Sequence, residues 1–254
     1  STGTSRCDFS SPGFCLMPGY HWLPDRLKTR AQSRRGRRDR LRLSRDPRGF
    51  GSGRGPSGQE VDALIQEIPE RLAEYIRETG TDEIMAASLE LCRFLVRWCE
   101  VRRPGRIVDL GSGITSWTLR SWRDLFSPDS TVISVDDDPE WLARSRNYSR
   151  TAGTGDVDFL FWDEFLEKHG SERFDLVVYD FGSVRERARQ MATAFDLVAP
   201  GGAIICDDIH KARIWRAARN SMWRRGWTGW SLREETLDSI GRFALLVGRP
   251  PERV

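Results

Sequence analysis

The segment Arg106–Trp117, reading Arg-Ile-Val-Asp-Leu-Gly-Ser-Gly-Ile-Thr-Ser-Trp, constrains this chain more than any other stretch. A short apolar run enters a turn with two glycines and leaves it toward a helix. Gly111 and Gly113 carry no β-carbon, so the backbone there can take unusual dihedrals and approach a ligand closely, while amides at the start of the next helix face that ligand. Turns of this kind serve dinucleotides, mononucleotides or plain tight corners. Asp109 narrows the choice. A dinucleotide fold ends its first strand in apolar residues, closes the turn with a third glycine, and binds a diphosphate that a strand-end carboxylate would repel. Ser116 stands in place of that glycine, and an acid beside the loop suits a cationic ligand.

After Gly105 the hydrophobic pattern alternates between strand and helix. Ile107–Leu110, Val132–Val135, Val157–Trp162, Leu176–Tyr179 and Ala203–Cys206 read as short buried strands separated by helical stretches. That alternation predicts a parallel sheet covered on both faces, with functional residues gathered at the carboxyl ends of the strands. Trp230–Leu237 and Arg242–Val247, separated by Asp238–Gly241, predict a closing hairpin. Before the sheet, two helical patterns run through Val61, Leu64, Ile65, Ile68, Leu72 and Ile76, then through Ile84, Ala87, Leu89, Leu91, Cys92, Leu95 and Val96, with Gly80 between them. They are expected to cover one edge of the main sheet.

Asp-Leu-Gly-Ser-Gly at Asp109–Gly113 resembles the first motif of class I S-adenosylmethionine-dependent methyltransferases, whose ligand carries an ammonium and a sulfonium. The resemblance extends over about residues 58–250. It implies a Rossmann-like, doubly wound α/β fold, with a mostly parallel seven-stranded sheet and an antiparallel last strand. It also implies cofactor contacts from Asp109, Gly111, Ser112, Gly113, Ser116, Asp136, Asp137, Trp162, Asp163 and Asp180. Asp136 ends the second strand, where a carboxylate can accept two hydrogen bonds from ribose hydroxyls. Asp138, followed by Pro139, is the natural helix cap of the Asp136–Asp138 run. Asp163 stands where the family commonly accepts from the adenine amino group, with capping of the next helix as the rival reading. Trp162 either packs against the purine or belongs to the core.

Two strand ends deliver three more carboxylates, Asp180 after the fourth strand and Asp207 with Asp208 after the fifth. In a parallel sheet these ends can be neighbours and form an oxygen-rich site for Mg²⁺. The arrangement resembles the metal-dependent O-methyltransferases related to catechol O-methyltransferase, in which an Asp and an Asp-Asn pair bind the metal that orients a hydroxyl and lowers its pKa. This chain has Asp208 in place of the Asn. The lysine expected shortly after Asp180 is replaced by the neighbourhood of Ser183 and Arg185. His210, with an ordinary pKa near neutrality, is then the candidate base beside Asp180, its alternative being a solvent-facing residue at a helix start. Asp208 has helix capping as its alternative. Arg213, Arg216, Arg219, Arg224 and Arg225, interleaved with Trp215, Trp223, Trp227 and Trp230, predict an amphipathic helix with inward tryptophans, or a substrate wall.

Composition bounds the rest. Residues 1–57 are rich in Gly, Pro, Ser and Arg and read as a basic arm, residues 58–101 as a helical cap, and residues 102–254 as the cofactor-binding core. Arg26–Arg48 holds ten arginines and one lysine against Asp39 and Asp46, a local charge of +9 in a chain of net charge +3. Such a segment either stays solvated or binds nucleic acid or another acidic partner, and Trp22–Leu43 could become helical on contact. Cys7, Cys15 and His21 match no zinc spacing. Cys92, Cys99 and Cys206 sit among core-type residues, so reduced thiols are expected. No apolar run is long enough to span a bilayer and no secretory apolar segment is present. A cytoplasmic enzyme acting on a small molecule is the expectation, with a homo-oligomer left open. An RNA methyltransferase guided by the arm, or a non-catalytic binding scaffold, are the rival functions. No Asn/Asp-Pro-Pro-Tyr/Phe segment follows the fourth strand and no Pro-Cys nucleophile exists, which argues against amino methylation of bases and cytosine C5 chemistry.

Overall fold

A computed structural model describes residues 58–249. The arm over residues 1–57, its basic segment Arg26–Arg48 and the cysteines within it lie outside the described residues.

Helix α1 (Gly58–Thr79) buries Val61, Leu64, Ile65, Ile68 and Tyr75, the first four of them at the i, i+3, i+4, i+7 spacing of one helical face. Helix α2 (Leu89–Arg102) begins later than its apolar pattern predicts. The Ser88 hydroxyl accepts from the amide of Leu91 at 3.1 Å and caps the helix there. Asp82 accepts from the amide of Ile84 in the preceding turn. Ile84 and Met85 are therefore loop residues, more than half exposed.

The sheet elements follow as β1 (Arg106–Leu110), α3 (Ile114–Phe126), β2 (Thr131–Asp136), α4 (Pro139–Thr151), β3 (Phe159–Phe161) and α5 (Trp162–His169). Then come β4 (Phe174–Tyr179), α6 (Val184–Asp196), β5 (Val198–Cys206), α7 (Ala212–Arg225), β6 (Thr228–Ser231), α8 (Arg233–Thr236) and β7 (Leu245–Gly248). The seven strands form one sheet in the order β3-β2-β1-β4-β5-β7-β6, and β7 runs antiparallel to both its neighbours. This is the expected doubly wound sheet. The strand order reverses between β1 and β4, and the crevice at such a reversal is where ligands bind in open α/β sheets.

Successive residues of each central strand point to opposite faces, so both faces are apolar. Ile107, Leu176, Val178 and Ile205 pack under α1, α2 and α3, which also bury Trp117 and Trp122. Val108, Val177, Tyr179 and Ile204 pack against Phe165 of α5, Phe195 of α6 and Ile214 of α7. Helices α1 and α2 thus cover a face of the sheet rather than its edge. Cys92, Cys99 and Cys206 are free thiols in these cores, and burial pushes the Cys92 thiol up to about 12.

Two predicted elements differ. The third strand is Phe159–Phe161 instead of Val157–Trp162, because Arg120 captures the chain before it. The guanidinium donates to the carbonyls of Val157 at 3.1 Å and Asp158 at 3.3 Å, and Asp158, at a left-handed φ of 60°, interrupts the extended chain while its carbonyl also accepts from the Ser134 amide of β2 at 2.8 Å. The closing hairpin is present as β6 and β7, but its strands are shorter and displaced from the predicted runs. Residues 233–236 turn helical, and Thr236 accepts from the amide of Ala244 at 2.9 Å across the connection. Helix α7 buries Ile214, Ala218, Ser221 and Met222. Trp215 is half-buried against them, while Trp223 falls on the opposite side and is 81% exposed, contrary to the expected inward position.

Candidate functional site

The glycine turn is held by its own strand end. Asp109 is fully buried and its Oδ2 accepts from Ser116 Oγ at 2.7 Å and Thr115 Oγ1 at 3.1 Å, both from the first turn of α3. Ser116 Oγ in turn accepts from the Gly113 amide at 3.2 Å. Ser116, expected as a cofactor contact, is buried here and braces the turn through its hydroxyl. The other oxygen, Asp109 Oδ1, is buried without a hydrogen-bond partner. Burial pushes the Asp109 carboxyl up to about 7, against the pull of Ser116 and Thr115. A buried, half-satisfied carboxylate of this kind is complementary to a cation or an N–H donor.

Gly111 explains the close approach of two loops. Its φ of +115° lies where side chains are rarely tolerated, and an added β-carbon would sit 2.6 Å from the carbonyl carbon of Asp180. The glycine turn is thus in backbone contact with the turn after β4 as well as open to a ligand. Gly113, by contrast, is extended and has room for a β-carbon, the nearest atom being Tyr75 Oη at 3.6 Å.

At the end of β2, Asp136 Oδ2 accepts from the Ser112 amide at 2.9 Å and Ser112 Oγ at 3.0 Å, and its Oδ1 accepts from the Asp138 amide at 3.1 Å. Burial again raises the carboxyl to about 7. With those bonds Oδ2 is satisfied, and Oδ1 keeps a lone pair for a further donor. Asp138 caps α4 as expected, accepting from the amides of Glu140 at 2.9 Å and Trp141 at 3.1 Å. Asp137, half-buried, lies against Gly182 in the turn after β4. Together Asp109, Ser112, Asp136, Asp137 and Asp180 gather at the carboxyl ends of β1, β2 and β4. Two members of the expected set stand apart. Trp162 opens α5 and is packed in the core, 4.9 Å from Phe181 and 5.9 Å from Phe165 between ring centroids. Asp163 is exposed on the first turn of α5, and that helix has no side-chain cap.

The acidic cluster carries its own cations. Arg187 Nη1 contacts both Asp180 Oδ1 and Asp208 Oδ2, the latter at 3.0 Å, and Lys211 Nζ contacts the same Asp208 oxygen. Despite burial, which would raise it, Lys211 and Arg187 hold the Asp208 carboxyl below its ordinary value. Burial raises Asp180 against the pull of Arg187, and raises Asp207 to about 8, with Asp180 and Asp208 adding to the rise. Asp208 does not cap α7, whose first turn has no side-chain cap; it adopts a left-handed φ of 57° instead. Among the described residues, no group of three or more His, Cys, Asp or Glu is arranged to hold a metal ion. The expected Mg²⁺ site at Asp180, Asp207 and Asp208 does not fit a hard cation, because arginine and lysine nitrogens already stand against Asp180 Oδ1 and Asp208 Oδ2. His210 Nδ1 lies 3.6 Å from Asp208 Oδ1, and burial holds the imidazole below its ordinary pKa.

Several residues of the site gave little signal in the sequence. Trp141 Nε1 donates to the Ser112 carbonyl and so fixes the turn from α4. Tyr75 reaches the glycine turn from α1, with its hydroxyl 3.4 Å from Ser145 Oγ. The helical period marks such positions only as buried. Arg187, two residues beyond Arg185, carries no mark in the sequence that sets it apart from that neighbour.

A model of the ubiE/COQ5 methyltransferase family matches residues 88–224, more than half of the chain. The chain belongs to that family. It is accordingly an S-adenosylmethionine-dependent methyltransferase, as the glycine motif implied. The residues at the β1 and β2 ends fit that cofactor: an unpartnered buried carboxylate oxygen at Asp109 for a cationic ligand, and an open lone pair on Asp136 Oδ1. Solved structures share the fold. The O-methyltransferase TomG from Streptomyces achromogenes, involved in tomaymycin synthesis and solved with S-adenosylmethionine, is 16% identical at a TM-score of 0.55, over 73% of this methyltransferase and 90% of TomG. An O-methyltransferase from Bacillus cereus solved with S-adenosylhomocysteine gives 16% and 0.55 over 74% and 90%. A putative O-methyltransferase from Klebsiella pneumoniae gives 16% and 0.57 over 76% and 97%. At this identity the likeness is one of fold. A search of curated protein sequences returned no match. No helix of the described residues is long and apolar enough to cross a membrane.

Proposed function

We propose that this methyltransferase acts on a hydroxyl of a small molecule, with His210 as the base. The observation that carries the reading is the backbone contact between Gly111 and Asp180. It joins the donor-binding turn to the cluster of Asp180, Asp208 and His210, so a methyl group presented by the first is delivered beside the second. The O-methyltransferase descriptions of the fold relatives support the same class of acceptor.

When bound, S-adenosylmethionine supplies an electrophilic methyl on a sulfonium, and its intrinsic reactivity leaves the protein the tasks of position and deprotonation. Asp109 Oδ1 would receive the cationic end of the ligand, and Asp136 Oδ1 would accept from the ribose, with Asp137 beside it, while Trp141 holds the turn through the Ser112 carbonyl. On the acceptor side, His210 is neutral at neutral pH because burial disfavours its charged form. Its Nδ1 lies 3.6 Å from Asp208 Oδ1, so the carboxylate favours the imidazolium that forms when the ring takes the hydroxyl proton. His210 would take the acceptor's hydroxyl proton and pass it to solvent.

The test is methyl transfer from isotopically labelled S-adenosylmethionine to a panel of phenols, alcohols, amines and RNA, with wild type and His210→Gln. Transfer to a hydroxyl that falls in the variant while donor affinity holds is the expected result. Transfer confined to amines or RNA overturns the acceptor class.

A further inference from the structure

Asp180, Asp207 and Asp208 are the oxygen donors that a divalent cation would need at this sheet edge, and such an ion takes most of its coordination from oxygens at about 2.0–2.6 Å. The side chain of Arg187 lies among them instead. Its Nη1 bridges Asp180 and Asp208, its Nε donates to the Phe181 carbonyl at 3.3 Å and its Nη2 to the Gly182 carbonyl at 3.4 Å. Only 7% of the residue is exposed. Its backbone is equally tied: Tyr179 Oη donates to the Arg187 carbonyl at 2.7 Å, and the Arg187 amide donates to the carbonyl of Ser183, the residue whose hydroxyl caps α6. This arginine is held at both ends and is not a surface side chain resting against acids.

We infer that Arg187 is a resident cation standing in the place of a divalent metal, and that removing its guanidinium turns the acidic cluster into a metal site. Three arguments lead there. Arg187 and Lys211 already place two positive charges on Asp208 Oδ2, so a divalent ion there would add a third, doubly charged neighbour at close range in a low-dielectric setting. The Lys211 ammonium fills a second direction of approach to the same oxygen. Removing Arg187 alone leaves a buried carboxylate short of its partner, a costly state that a small hard cation can relieve. The arginine is thus a positioning residue. It ties the turn after β4, which touches the glycine turn, to the end of β5, which carries Asp208 beside His210.

The inference concerns which cation the cluster holds and reads metal binding rather than turnover, so it stands or falls apart from the acceptor proposed above. The experiment is a Mn²⁺ titration of the full chain, following free Mn²⁺ by electron paramagnetic resonance and thermal stability in parallel. Wild type and Arg187→Lys are expected to take up no Mn²⁺ at this site. Arg187→Ala and Arg187→Gln are expected to bind a single ion at least about tenfold more tightly than wild type. The gain disappears when Asp208→Asn is added, and their lowered melting temperature recovers in Mn²⁺ by linkage. Stoichiometric uptake by wild type that Asp208→Asn abolishes overturns the inference, as does a folded Arg187→Ala with no gain in affinity. Where neither neutral variant folds unaided, folding rescued by Mn²⁺ carries the inference and folding not rescued overturns it.

Discussion

Gly111 and Asp180 are in backbone contact: a β-carbon on the glycine would lie 2.6 Å from the carbonyl carbon of Asp180. The amide of Asp180 donates to the carbonyl of Leu110 at 2.7 Å, immediately before the glycine. The glycine turn and the turn after β4 are therefore tied together through main chain. Gly111→Ala forces both a disfavoured φ and a collision with main chain, neither of which a rotamer change can relieve. The expected loss is about 2 kcal/mol or more of stability, with donor binding abolished. Chemical denaturation and calorimetric titration with S-adenosylhomocysteine check it.

Asp136→Ala removes the acceptor for Ser112 and, in the proposed complex, for the ribose. Hydrogen bonds to a carboxylate contribute about 1.5–3 kcal/mol, so the donor affinity should fall roughly tenfold to a hundredfold. Calorimetric titration of the variant with S-adenosylmethionine measures this, and an unchanged affinity removes Asp136 from the donor site.

Asp109 and Asp136 both reach about 7 in the folded protein against an ordinary 3.8. Between these values the folded state binds more protons than the unfolded chain, so these groups lower stability as pH rises from about 4 to 7, by at most about 1.4 kcal/mol per pH unit for each. The ionised forms are the ones that suit a cationic ligand. Donor affinity is therefore expected to climb between pH 6 and 8, by about an order of magnitude, with release of protons on binding. Asp109→Asn should flatten the stability profile and weaken the donor together. Melting curves against pH, and titrations in buffers of different ionisation enthalpy, test both halves.

His210→Gln should lower kcat by about a hundredfold or more and leave S-adenosylhomocysteine binding intact. Because burial holds the imidazole below its ordinary pKa, the acid limb of the wild-type rate profile should fall below pH about 6.5 and vanish in the variant. A limb that survives the substitution assigns the base to another group.

Arg120 is buried in α3 without a direct carboxylate partner, and its guanidinium lies 4.2 Å from the Phe159 ring centroid. Its bonds to Ser134, Val157 and Asp158 anchor the β3 edge. Arg120→Ala leaves those groups unsatisfied in a cavity and should cost about 3 kcal/mol or more. The faster hydrogen exchange should be concentrated at Phe159–Phe161, and uniform exchange would show that the edge does not depend on this side chain.

The sequence by itself determined what neighbouring residues decide. The apolar runs and glycines around Asp109 specify strand, turn and helix. Asp138 before Pro139 specifies a cap, and the strand-end acids mark which edge of the sheet carries function. Each is a local pattern with a period or a fixed offset. Only the tertiary structure decided which charges meet. Ser116 braces the turn through its bond to Asp109, Trp162 is drawn into the core by Phe165 and Phe181, and two of the three acids expected to hold a metal, Asp180 and Asp208, are met by Arg187 and Lys211. An arginine on the fourth residue of α6 has no periodic mark that separates it from its exposed neighbours Arg185 and Arg189. Its partner at Asp208 comes from another strand, and burial together with the reach of one guanidinium, set by the packing of α6 against β4 and β5, selects it.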